Sequence, residues 1–247
     1  MFTHYRTEGF ILKKVDRGEA DRIFTTYTKD FGKLDLLAKA ERKIKSKLRG
    51  GLETLCLSEI EFIQGKAHKT LTDTILIENF LNLKKDLKKI RIAHQITETL
   101  DVLVKGQEPD EKIWRLLKIS FSKLNTNNLN PITYKLIYYY FFWNLLSFLG
   151  YEPELYRCSF CQKKITPEKI YFNPREGGTV CQACFQKDKS SKTISPEVIK
   201  ILRLILKKEW GTLLKLKFEA KYLKELFLIS KSYFSSIADE VKTLSSK

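Results

Sequence analysis

The sequence is poor in the residues and motifs that enzymes use for chemistry. It contains no Gly-x-Ser-x-Gly nucleophile turn, no phosphate-binding P-loop and no Gly-rich dinucleotide turn. Only three histidines occur in the 247 residues: His4, His68 and His94. Three N-terminal aspartates alternate with basic residues instead of forming an acidic metal-binding cluster: Asp21, Asp30 and Asp35. These absences argue against hydrolases, nucleotide-dependent enzymes and two-metal nucleases, so we expect a protein that is not an enzyme.

Long apolar runs are also scarce, and the chain opens on Met-Phe-Thr-His-Tyr without an apolar signal segment. Residues 132–149 come close to the length of a membrane span. Tyrosines occupy the middle of that stretch, whereas membrane spans place them at the two interfaces, and Lys135 and Asn144 would be costly in lipid. We interpret the stretch as a buried core helix and expect a cytoplasmic protein with no membrane partner.

Acidic residues are too few to balance the basic ones. The 45 lysines and arginines face 29 aspartates and glutamates, which leaves a net charge of +16. Such a surplus favours a polyanionic partner, either nucleic acid or an anionic membrane surface. Lysine supplies 35 of the 45 basic residues, as the proteins of AT-rich genomes often show, so the charge alone does not assign a nucleic-acid role.

The first third of the chain has the pattern of a small β-barrel. Short β-rich runs are separated by Gly, Asp and Lys, and helical periodicity is absent. The predicted strands are residues 9–15, 22–29, 33–38, 55–63 and 70–80. Five strands in so short a segment predict an OB-fold or an SH3-like barrel over residues 1–80.

Helical periodicity begins after Phe80 and continues, with one interruption, to the end. We predict a helix that begins at Pro131, with Asn130 as its cap, and another that begins after Ser195. The interruption, residues 151–192, is rich in proline and cysteine. The fold class is therefore α+β: an N-terminal barrel, then an all-helical domain over residues 81–247 with an inserted metal-binding segment at 151–192.

Four cysteines of that segment have the spacing of a zinc ribbon. Cys158 and Cys161 form one Cys-x2-Cys pair, and Cys181 and Cys184 form a second after nineteen residues. The intervening residues can form a hairpin with its turn at Gly177-Gly178. Disulfides are unfavourable in a cytoplasmic chain, and a redox-active pair would not need a second matched pair. A catalytic zinc usually keeps an open coordination position. We therefore predict one structural Zn²⁺ that is bound by four thiolates.

A strongly basic loop joins the third and fourth predicted strands. Glu41 is its only acidic residue, and its basic residues are Lys39, Arg42, Lys43, Lys45, Lys47 and Arg49. Laid along the phosphates of nucleic acid, such a loop would release their counterions. If about five phosphates are neutralised, log affinity for a single strand falls with a slope near −3.5 against log salt. We predict that Arg17 and Arg22 assist the loop.

Aromatic residues on the neighbouring strands either stack on bases, as in other barrels that bind single strands, or belong to the core. They are Phe10, Phe24, Tyr27 and Phe31.

A second basic cluster has the spacing of a solvated helix face: Lys84, Lys85, Lys88, Lys89 and Arg91. Basic residues near the cysteines permit a contact with DNA or a partner, but we interpret them as another solvated face: Arg157, Lys163, Lys164, Lys169 and Arg175.

Several ordered motifs resemble the RecO family of bacterial recombination mediators. They include Gly9-Phe-Ile-Leu-Lys, Gly18-Glu-Ala-Asp-Arg, Phe31-Gly-Lys, Arg42-Lys-Ile-Lys-Ser-Lys-Leu-Arg-Gly and Phe148-Leu-Gly-Tyr-Glu-Pro, together with the two cysteine pairs. The resemblance covers most of the chain. It implies an OB-fold joined to a helical domain with a zinc site.

The same resemblance implies activity through binding alone. Members bind single- and double-stranded DNA, anneal complementary strands, and work with RecR to load RecA onto strands coated by single-strand-binding protein, whose acidic C-terminal tail binds their helical domain. Such a protein would act in the bacterial cytoplasm at the nucleoid. Two other interpretations stay open from the residues: a protein-interaction adaptor stabilised by zinc, and an RNA-binding accessory protein of translation.

Overall fold

The computed structural model describes residues 3–65, 68–127, 129–187, 189–216 and 218–245, without the side chains of Arg49 and residues 239–245. The chain divides into two compact units, Met1–Tyr138 and Tyr139–Lys247. The division falls inside one long helix, and each half of that helix is described with its own unit. The domain boundary that the sequence suggests after residue 80 stays a prediction.

Five strands form a closed barrel in the first unit. They are β1 (His4–Arg17), β2 (Asp21–Thr28), β3 (Gly32–Ala38), β4 (Leu57–Gln64) and β5 (Lys69–Glu78), and a 3₁₀ helix, Lys47–Gly51, precedes β4. The strand order is β1-β2-β3-β5-β4, and β3 pairs with β5 in parallel while the other pairs are antiparallel. This architecture confirms the predicted five-stranded OB-type barrel.

The interior of the barrel is filled by aliphatic and aromatic side chains. Ile11, Phe24 and Leu36 are completely buried there, and the half-buried Phe31 packs against the same core. Phe31 meets the rings of Tyr5 and Phe62 edge-on, at centroid distances of 5.6 and 5.4 Å. Phe24 therefore has no face for a nucleobase, and Phe31 is engaged with its neighbours.

The opposite face of β1 is also buried in the middle of the strand, because helices of the first unit cover it there. Phe10 lies on this face, and its ring centroid is 5.2 Å from those of Trp114 and Phe121. Tyr27 is also fully buried, and burial raises its pKa to about 12. Phe10, Phe24 and Tyr27 are therefore core residues, and the alternative that they stack on bases is wrong.

Three helices complete the first unit before the long helix: α1 (Leu81–Lys84), α2 (Leu87–Leu103) and α3 (Glu111–Leu124). Asp86 and Asp110 cap α2 and α3, since their carboxylates accept hydrogen bonds from backbone N–H groups of the first turn. Lys33 ties α2 to the barrel through an ion pair with Asp101, at 3.1 Å. The predicted solvated face of basic residues 84–91, which spans α1 and α2, is wrong at Lys89, which is buried and donates to the Thr126 carbonyl at 2.7 Å.

Helix α4 (Pro131–Phe148) begins where the sequence predicts. The Asn130 side chain accepts from the Thr133 N–H at 2.9 Å, as expected of a cap. Its second half is buried in the second unit, where the Trp143 indole donates to Ser230 at 3.1 Å. This burial confirms α4 as a core helix. Among the helices that the structure describes, none combines the length and apolarity that crossing a bilayer requires.

The rest of the second unit is a small sheet with four further helices. The strands β6 (Ile170–Asn173), β7 (Gly178–Cys181) and β8 (Lys192–Ile194) pair in the order β7-β6-β8. The helices are α5 (Gln182–Lys187), α6 (Pro196–Leu206), α7 (Trp210–Lys215) and α8 (Ala220–Ser245). Phe172 of β6 packs edge-on against Trp143 and Tyr233, which anchors the sheet to the helical core. Helix α6 begins after Ser195 as predicted.

Candidate nucleic-acid interface and metal centre

The β6–β7 hairpin brings the two cysteine pairs together. Residue Ile170 pairs with Cys181 across the hairpin, so the second pair lies at the end of β7 and the start of α5. Gly177 closes the turn with a φ of 63°, in the left-handed region that glycine tolerates. A Cβ at Gly178 would lie 2.8 Å from the Glu154 carbonyl oxygen, so only glycine fits there. The hairpin and its glycine turn confirm the prediction from sequence.

The four sulfurs have the separation of a tetrahedral metal site. All four Sγ atoms lie within 4.8 Å of one another. The Cys161 and Cys181 sulfurs are 3.8 Å apart, which is about the edge of a tetrahedron with Zn–S bonds of about 2.3 Å. Cys158, Cys161, Cys181 and Cys184 could therefore hold one metal ion, and a closed set of four thiolates suits zinc or iron.

The surroundings of the cluster favour ionised sulfur at one position. Burial raises the pKa of the Cys158 thiol, but N–H groups of Cys161, Cys181 and Phe160 donate to its sulfur and bring the pKa down to about 6. Desolvation and hydrogen bonds with the other three thiols raise the pKa of Cys184 to about 12. Four crowded sulfurs thus resist ionising together unless a cation neutralises them, as a divalent metal would.

The basic loop, residues 39–51, is anchored to the barrel at both ends. At its start the Ala40 N–H donates to the Asp21 carboxylate at 2.7 Å, and Ala40 has a φ of 54°, which is unusual for a residue with a side chain. At its end Leu48 packs against the barrel core, and its carbonyl accepts from the Thr74 hydroxyl at 3.2 Å. The loop therefore has a defined conformation that contacts with the barrel fix at both ends.

A network of charged side chains fastens the basic loop to the β1–β2 turn. Glu41 is almost completely buried and pairs with Arg22 at 3.0 Å. Arg22 also pairs with Asp16 at 2.6 Å, and a hydrogen bond from Arg22 lowers the pKa of that carboxyl. Arg42 contacts Asp16 at 3.6 Å and the Gly18 carbonyl at 3.3 Å. Arg22 and, in part, Arg42 are thus engaged within the protein, which the sequence could not reveal.

The lysines of the loop are exposed to solvent. Within the described part of the chain, no ion pair involves its four exposed lysines: Lys39, Lys43, Lys45 and Lys47. A tight turn carries two of them, because the Ser46 N–H donates to the Lys43 carbonyl at 3.0 Å. Ile44, at the apex of that turn, is 90% exposed. Arg17 is also exposed, and its guanidinium lies 3.0 Å from Nε2 of His68. The Arg49 side chain lies outside the described residues.

We expect the Arg22→Met substitution to destabilise the first unit by about 1–3 kcal/mol, because it leaves the buried Glu41 carboxylate without its partner. Urea denaturation measures this loss. The double variant Arg22→Met/Glu41→Gln removes the unpaired charge and should recover most of it. If the double variant is as stable as the wild type yet binds DNA several-fold less tightly, Arg22 contacts phosphate as well.

Comparison with known proteins identifies the family. The family model described as "Recombination protein O N terminal" matches residues 1–80, and "Recombination protein O C terminal" matches residues 84–242. A DNA repair protein RecO of Dehalococcoides mccartyi (strain CBDB1) is 33% identical over 224 residues, covering 91% of this chain and 87% of that protein. The DNA repair protein RecO of Acetivibrio thermocellus is 30% identical over 230 residues, covering 93% and 90%. The chain therefore belongs to the RecO family of DNA repair proteins.

Proposed function

We propose that this protein is a mediator of homologous recombination that works by binding and not by catalysis. It binds single- and double-stranded DNA, anneals complementary strands, and with RecR helps to load RecA onto strands coated by single-strand-binding protein. The acidic C-terminal tail of that protein would bind the helical domain. Family membership supports the repair role. In this proposal the barrel domain comprises residues 1–80, the helical domain comprises residues 81–247, and the protein acts at the bacterial nucleoid.

The observation that carries the proposal is the set of four exposed lysines on an anchored loop: Lys39, Lys43, Lys45 and Lys47. Two DNA strands repel each other through their phosphates, so a surface that neutralises phosphates while leaving bases free lowers the barrier to pairing. The barrel offers little for bases to stack on, because its aromatic rings are buried or engaged with one another. Phosphate contacts should therefore dominate binding at the loop, assisted by Arg17, Arg42 and Arg49.

We propose that one Zn²⁺ lies at Cys158, Cys161, Cys181 and Cys184 and that its role is structural. Sulfur separations that fit a tetrahedron and a donor set with no histidine or carboxylate support a closed site. When bound, the ion supplies the positive charge that keeps the four thiolates together. The residues of this chain do the rest, since the hairpin turn and the backbone N–H groups at Cys158 already bring the sulfurs into place.

The test is annealing of two complementary single strands coated with single-strand-binding protein, followed by fluorescence without any nucleotide. We expect the protein to accelerate annealing well above background and to do so less as salt rises. Background rates with a folded, metal-loaded protein would contradict the proposal. Tight, salt-insensitive binding to a protein partner would then favour an adaptor, and preference for RNA over DNA of equal length would favour an RNA-binding role.

A further inference from the structure

The first cysteine knuckle, residues 157–164, presents an aromatic ring to solvent. Phe160 stands between Cys158 and Cys161 and is 42% exposed. Backbone hydrogen bonds hold its neighbours: the Cys158 N–H donates to the Lys163 carbonyl and the Ser159 N–H donates to the Thr179 carbonyl, both at 2.9 Å. A single exposed apolar residue is ordinary on a protein surface. Phe160 differs from other exposed apolar residues because it lies on a hydrogen-bonded turn with basic residues on both sides in sequence.

Three exposed basic residues flank Phe160 along this knuckle. Arg157 and Lys164 face each other across an isolated β-bridge, and Lys163 is adjacent. No acidic residue occurs from 157 to 164. Within the described part of the chain, none of these three cations takes part in a side-chain ion pair. The preceding acidic residue, Glu154, accepts hydrogen bonds from the N–H groups of Tyr156 and Arg157 at 2.7 and 3.0 Å.

An aromatic ring flanked by cations is the surface with which proteins bind single-stranded nucleic acid. Bases stack on the ring while the cations contact neighbouring phosphates. We propose that the first knuckle is a second contact for single-stranded DNA, in which Phe160 stacks on a base and Arg157, Lys163 and Lys164 bind phosphates. This inference rests on the proposed function, because annealing requires two strands. The basic loop would take one strand through its phosphates, and the knuckle would take the other through a base as well.

The three cations have a competing role, which Phe160 does not share. A zinc ion with four thiolates carries a formal charge of −2, and nearby cations would balance that charge. Replacing them would then change metal affinity, so a loss of DNA binding would have two explanations. The phenyl ring is neutral and contributes nothing to that balance. Substitution of Phe160 therefore isolates the DNA contact from the metal site, provided that metal content is measured in each variant.

The direct test is the full-length Phe160→Trp variant titrated with a thymidine oligonucleotide. We expect tryptophan fluorescence to be quenched as a base stacks on the new indole, beyond any change in the wild type. Phe227→Trp is the matched control, because Phe227 lies on α8 of the same unit and is 51% exposed. A quench at position 160 and not at 227 supports the inference. Equal signals at both positions, or none at either, overturn it.

The functional test is Phe160→Ala, which should weaken single-strand binding by about 5- to 150-fold, as the loss of one stacked base does. The salt slope should stay unchanged because no charge is removed, and metal content should stay at one ion per chain. If Phe160→Ala loses metal, its DNA affinity cannot be interpreted, and the fluorescence titration of Phe160→Trp, which keeps an aromatic ring, tests the inference instead. DNA binding that depends on the basic loop but ignores Phe160 overturns this inference alone, whereas a wild type that does not bind DNA overturns the proposed function.

Discussion

Replacing Cys158 and Cys161 together by serine is expected to abolish metal binding and to unfold both cysteine knuckles. Structural zinc contributes an apparent 10–16 kcal/mol in zinc-finger peptides, roughly the whole stability of such segments. Here the knuckles contain few buried apolar side chains of their own, since residues 159–164 and 182–187 are exposed or half-buried. Metal analysis should show one zinc per wild-type chain and none in the variant. Native-state hydrogen exchange should show the lost protection.

The same experiment should separate the knuckles from the sheet beside them. Phe172 and Val180 are completely buried, and Phe172 packs against Trp143 and Tyr233 independently of any metal. Burial of such side chains contributes about 1.5–3 kcal/mol each. Protection at β6 and β7 should therefore outlast protection at the knuckles when the metal is removed, and the barrel of the first unit should be unaffected.

Cys56→Ala is the matched control for the metal experiment. Cys56 is buried in the barrel core, where burial raises the pKa of its thiol and keeps it protonated. Its loss should leave the zinc content at one ion per chain. Iron instead of zinc in the wild type would correct the identity of the metal. Full metal content in the double serine variant, or unchanged exchange at the knuckles, would contradict the proposed site.

The clustering of the four cysteines was predictable from sequence because its determinants are local. Two residues between cysteines place both sulfurs on one side of a turn, and nineteen residues with a glycine pair can form one hairpin. The same holds for helix starts: Asn130 before Pro131 and Ser195 before Pro196 act within a single turn. Helix α7 was missed because it has six residues and no side-chain cap.

Whether a given basic residue is exposed or paired within the protein was not predictable, because its hydrogen-bond and ion-pair partners are distant in sequence. Arg22 belongs to β2, and it meets Glu41 only after β3 has folded back. Lys89 is buried because the end of α3 places the Thr126 carbonyl within its reach. Phe10 shows the same limit for apolar residues. Alternation along β1 indicates two faces, but only the packing of α3 reveals that both are covered.

Replacing the four exposed lysines of the basic loop by alanine is expected to produce the largest loss of DNA binding: Lys39, Lys43, Lys45 and Lys47. Each phosphate contact on a single strand contributes about 0.7 to the slope of log affinity against log salt, so the slope should flatten by about 2.8. Between 1 M and 0.1 M salt the same contacts account for an affinity gain of about 600-fold. The variant removes four contacts, fewer than the five expected from sequence, because it leaves in place Arg49 and Arg42, which is partly engaged with Asp16. Fluorescence anisotropy of a labelled oligonucleotide over a salt series measures both effects.

Net charge alone cannot produce this result, and a matched variant shows why. Four exposed lysines of the second unit can be replaced by alanine with the same loss of charge: Lys187, Lys200, Lys224 and Lys231. The long-range attraction of the whole protein falls equally in both variants, but only the loop variant loses counterion-releasing contacts. An unchanged slope in the loop variant, or an equal flattening in both, would contradict the assignment of the loop. Retained Arg22 and Glu41 keep the loop anchored in that variant, so a flattened slope cannot be attributed to a collapsed loop.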